Sequence, residues 1–95
     1  MKEIKHFLED GIYISKHALE RAKERNITQE ILKRVLNNPD QVVDDDSGKQ
    51  GQKIYQSLIE FEENSTYLVR VFVNAQKQPN VVKSVYKTSK VQKYL

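Results

Sequence analysis

The stretch "TYLVRVFVN", Thr66 to Asn74, alternates its side chains: Tyr67, Val69, Val71 and Val73 fall on one side of an extended chain, and Leu68, Arg70 and Phe72 on the other. The period of two predicts a strand. On either side lie two more strand candidates, "KIYQSLIEF" from Lys53 to Phe61 and "VVKSVYKT" from Val81 to Thr88, joined to it by the polar links "EENS" and "AQKQPN". Links this short connect neighbouring antiparallel strands, so the second half of the chain reads as a meander. In the last strand the same alternation puts Val82, Ser84, Tyr86 and Thr88 on one face and Val81, Lys83, Val85 and Lys87 on the other.

Upstream the pattern changes to a helical one. Ser15 precedes the run of helix formers "KHALERAKER", where its hydroxyl can accept a hydrogen bond from a free amide of the first turn. Asn26 is a natural stop, because asparagine tolerates the left-handed conformation found past helix ends. Thr28 opens a second helix, "QEILKRVLNN", in which Ile31, Leu32, Val35 and Leu36 recur at the three-to-four spacing of a core-facing stripe, and Pro39 closes it. The segment "QVVDDDSGKQGQ" starts as a short strand candidate and becomes a solvated loop, since "DDD" lacks the oxygen spacing and closing glutamate of a calcium loop. The tail "SKVQKYL" reads as a final turn or a fraying end. The expected fold is α+β, one domain over residues 1–95, with two N-terminal helices packed on one face of a three- to four-stranded antiparallel sheet.

A chain of 95 residues, 38% hydrophobic and 31% charged, suits one small core and leaves no room for a two-lobed cofactor cleft. Its lack of cysteine removes disulfides, thiolate nucleophiles and Cys-ligated zinc, and fits a reducing, cytoplasmic setting. Charges interrupt "MKEIKHFLEDG" too often for a signal peptide, and no apolar run approaches the ~18 residues of a membrane span, so no membrane partner is expected. The net charge of +3 is unevenly spread. Lys16 to Arg34 holds six Lys/Arg against three Glu, Asp40 to Glu63 holds two Lys against seven acids, and Gln76 to Leu95 holds five Lys and no acid. Were the first helix and last strand to meet, they would form a basic face suited to a phosphate-bearing ligand.

On a helical wheel with His17 at zero, Ala18, Ala22 and Leu19 fall near about 100°, 140° and 200°, a narrow stripe of mostly small residues. His17, Arg21 and Arg25 line one margin of that stripe. One imidazole and two guanidiniums along a helix–sheet seam combine a general-base candidate, which must be neutral to act, with two groups suited to phosphate. The plainer reading is a solvated flank, with Arg21 paired to Glu24 three residues on. His6 carries much less weight.

The pattern "SKHALERAKERNIT", followed by "EILKRVLNNPD" and "SVYKTSK", resembles an uncharacterised bacterial domain family with an H-A-x-x-R-x-x-x-R helix. That family looks like a branch of the small ribonucleases that include RelE-type toxins, barnase, EndoU and the colicin RNases. The resemblance implies metal-independent RNA cleavage without a cofactor, often by the toxin of a toxin–antitoxin pair, with RNA and an antitoxin protein as partners. His17, Arg21 and Arg25 match the helix motif, and Tyr86 and Thr88 stand where the last strand of such folds contributes side chains. This last strand has no histidine.

In that chemistry His17 takes the proton of a ribose 2′-hydroxyl as it attacks the adjacent phosphate. Arg21 and Arg25, with Lys83 or Lys87, hold the phosphate, and Tyr86 or Thr88 serves the leaving 5′-oxygen. A non-catalytic module gripping nucleic acid or an acidic protein with the same ridge is the competing expectation.

Overall fold

The computed structural model describes residues 11–45, 51–61, 64–76 and 80–94. The elements run β1 (Tyr13–Ile14), α1 (Lys16–Glu24), α2 (Gln29–Asn37), β2 (Gln41–Asp44), β3 (Gln52–Glu60), β4 (Thr66–Asn74) and β5 (Val81–Thr88), followed by a 3-10 turn at Val91–Lys93. The fold is α+β, with two helices and one sheet ordered β1-β5-β4-β3-β2. The sheet is five-stranded and mixed rather than three- to four-stranded and antiparallel. β2 to β5 pair antiparallel, whereas β1 pairs parallel with β5. Two residues of β1 carry no periodicity to read, and its partner lies at the far end of the sequence. His6 and the loop residues Asp46 to Gln50 lie outside the described residues.

Both helices start and stop as their end residues dictate. Ser15 Oγ accepts from Ala18 N at 3.1 Å and Thr28 Oγ1 from Ile31 N at 3.2 Å. Past α1, Asn26 adopts φ 57°, and Ile27 N donates back to Ala22 O at 2.9 Å while Asn26 N reaches Lys23 O. This crossed pair of bonds ends the helix, and the buried Ile27 seals the turn from below.

The core lies between the helices and one sheet face. Ala18, Ala22, Leu32 and Val35 meet Val69, Val71, Val73 and Val85 there, with α1 over β5 and α2 over β3 and β4. One irregularity resets β5: Ser84 stands opposite Phe72 and Val82 opposite Val73, so Lys83 is an extra residue, a bulge. Val82 therefore joins Val85 in the core, while Ser84, Tyr86 and Thr88 remain on the other face. Strict alternation would have kept Val82 with Tyr86.

Ala18 and Ala22 are both fully buried, which leaves no space for a longer side chain beneath α1. Ala22→Leu is expected to cost about 1–3 kcal/mol through overpacking, read as a lower urea midpoint. An unchanged midpoint would mean that α1 does not lie this close to the sheet.

Candidate nucleic-acid interface

α1 runs alongside β5 and is pinned at both ends. At its start Ser15 N donates to Val82 O at 3.0 Å and Ser15 Oγ donates to Lys83 O at 3.2 Å. At its finish Lys87 Nζ donates to Arg25 O at 3.3 Å. The same ammonium lies 3.9 Å from the centroid of the Phe61 ring and 4.5 Å from that of Tyr67, two rings that meet edge to face at 5.5 Å. Lysine there is held by a carbonyl and two aromatic faces rather than by a carboxylate.

Along the flank of α1, His17 is exposed and makes no hydrogen bond or ion pair among the described residues. Arg21 Nη1 binds both oxygens of Glu24, at 3.2 and 3.0 Å. Arg25 Nη1 lies 3.7 Å from the same carboxylate, too far for a hydrogen bond, and is a buried nitrogen with no hydrogen-bond partner. Glu24 thus sits between two guanidiniums while remaining largely exposed. Exposed pairs of this kind are worth about 0.3–0.5 kcal/mol, so a phosphate could displace the carboxylate at little cost.

The structure brings His17, Arg21, Arg25 and Lys87 to the helix side of the sheet, together with the Lys83 backbone. It does not bring Tyr86 and Thr88 there. Tyr86 stands opposite Arg70 and Thr88 opposite Leu68, on the sheet face away from the helices. Thr88 is buried, its Oγ1 accepting from Lys90 N at 3.0 Å. Tyr86 is partly exposed and meets Tyr94 edge to face, with centroids 6.4 Å apart. The sheet itself separates this pair from His17, so the constellation expected from sequence is divided between two surfaces.

On that second face the structure assembles a group the sequence reading did not single out. Gln56 is fully buried in β3, and its amide is used at both ends. Its Oε1 accepts from Arg70 Nε at 2.9 Å, and its Nε2 donates to Gln41 Oε1 at 2.7 Å and to Tyr94 O at 3.1 Å. The Arg70 guanidinium stacks 4.0 Å from the Tyr94 ring centroid and 5.4 Å from that of Phe72. One signal was available: Arg70 is the sole charge inside an otherwise apolar strand.

Among the described residues no cluster of three or more His, Asp or Glu is placed to hold a metal, and no helix is long and apolar enough to cross a membrane. Ser15→Ala removes both the cap of α1 and its tie to Lys83, and should lower stability by about 1–2 kcal/mol in urea unfolding. A loss well below that range would show that the two bonds are not made in solution.

Comparison with curated proteins and with solved structures gives no match. Residues 14–87, spanning β1 almost to the end of β5, match the family model described as a domain of unknown function, DUF4258, and the chain belongs to that family.

Proposed function

We propose that the chain binds RNA along the α1–β5 seam, gripping backbone phosphates with Arg21, Arg25 and Lys87. The observation that carries this reading is the bond from Lys87 Nζ to Arg25 O, because it draws the cation of the last strand beside those of the helix. Arginine supplies a planar fork for phosphate oxygens, and Lys87 adds a point charge. The whole arrangement works without a cofactor, in a cytoplasmic setting that the cysteine-free composition suits.

A second reading, metal-independent endoribonuclease activity as the toxin of a toxin–antitoxin pair, is favoured by the free, exposed imidazole of His17 one turn from Arg21. His17 would accept the 2′-hydroxyl proton while Arg21 holds the phosphate. In-line displacement places the leaving oxygen on the far side of phosphorus, where an acid is wanted. Tyr86 and Thr88 lie across the sheet from that position, which leaves protonation to water. Binding is therefore the better-supported of the two.

Fluorescence anisotropy with a labelled RNA, titrated at several salt concentrations, separates them. The wild type is expected to bind with a negative log–log salt slope, and Arg21→Ala and Arg25→Ala should each reduce that slope by about one and weaken binding. His17→Ala should bind as the wild type does. Unaltered binding in both arginine variants would place the contact elsewhere. Incubating the same RNA in EDTA tests turnover: cleavage by the wild type and not by His17→Ala, leaving 2′,3′-cyclic phosphate ends, would favour the ribonuclease reading instead.

A further inference from the structure

On the face away from the helices, Val43, Asp44, Asp45, Ile54, Arg70, Phe72, Lys93 and Tyr94 enclose an open cleft of about 520 Å³, within the size range of small-molecule sites. Arg70 is held on two sides within it. Gln56 fixes the guanidinium through Nε and Tyr94 stacks on its plane, so neither the angle nor the depth of the fork is free. Yet no carboxylate among the described residues pairs with it. A fully buried glutamine that spends an acceptor on an arginine, leaving the terminal nitrogens of that arginine unpaired at a cleft, holds a positive fork ready for an oxyanion.

The rest of the lining narrows the class of ligand. Asp44 is engaged by Lys53, whose ammonium is held above the usual lysine pKa by the hydrogen bond to that carboxylate and then by its charge. Asp45 and Lys93 complete the rim, which therefore carries two carboxylates. A strand with a phosphate at every nucleotide would press one of them against that rim. A ligand with a single anionic group would not. Val43, Ile54 and Phe72 supply an apolar wall for its uncharged part.

We infer that this cleft binds a small nucleotide, its phosphate on the Arg70 fork with Lys93 beside it and its base against Phe72. The site is separate from the α1–β5 seam and does not depend on RNA binding there.

The test uses uridine 5′-monophosphate, with uridine and inorganic phosphate as controls, added to the whole isotope-labelled chain while the Arg70 Nε–H resonance is followed by NMR. The nucleotide should shift that resonance saturably, and bind at least about tenfold more tightly than either control. Arg70→Lys, which keeps the charge but loses the fork and its anchor on Gln56, should weaken binding by about tenfold, with an otherwise native amide spectrum. Glu20→Gln, on the exposed face of α1, should change nothing in this assay. No saturable shift of the wild-type Arg70 signal overturns the inference without recourse to any variant. Equal responses to nucleotide and inorganic phosphate would also overturn it, in favour of a simple anion site.

Discussion

Two alanines set the distance between α1 and β5, and much of the remaining architecture depends on that distance. Ala18 and Ala22 are fully buried, and a methyl group is the most that stands between the helix backbone and the strand. Close approach lets the short Ser15 hydroxyl reach Lys83 O at one end, and lets Lys87 reach Arg25 O at the other. Larger side chains on this stripe would lift the helix and break both ties. The same closeness gathers the basic groups of two distant parts of the sequence into one seam. Like charges would normally spread apart. Here their mutual repulsion is offset by a carboxylate, Glu24, and by the carbonyl and aromatic faces around Lys87.

The bulge at Lys83 decides which residues share that seam. By inserting one extra residue it turns Val82 into the core with Val85 and leaves Ser84, Tyr86 and Thr88 facing the other way. The sheet consequently presents two surfaces of different character. The helix-covered side is apolar within and basic along its flank. The other side is built around the buried Gln56 amide, which ties β2, β3, β4 and the segment after β5 together through Gln41, Arg70 and Tyr94. A satisfied buried amide of this kind contributes less to stability than to holding one arrangement of its partners.

Much of this was legible in the sequence because it is local. The alternation of Thr66 to Asn74 gave β4 from its first residue to its last, Ser15 and Thr28 marked the helix starts, and Asn26 marked a left-handed stop. The alanine stripe and the flank of His17, Arg21 and Arg25 followed from one helical wheel. What stayed hidden is non-local. The two-residue β1 offers no period, and its pairing is with β5. The bulge that turns Val82 into the core gives no sign of itself in the composition of β5. Tyr86 and Thr88 were assigned to the site by the family resemblance, and alternation alone does not say which face of β5 the helices cover, so they were placed in a site they do not reach. Gln56 reads as an ordinary polar residue in a strand; its burial is explained only by partners 14, 15 and 38 positions away.

The central claim is that RNA is held on the helix side of the sheet. Ultraviolet crosslinking of the intact chain to a short RNA, with the attached peptides identified by mass spectrometry, tests it directly. The account predicts crosslinks along α1 and at Phe61 or Tyr67, the rings beside Lys87 and Arg25. Crosslinks confined to Tyr86 and Tyr94, with none in α1, would contradict it.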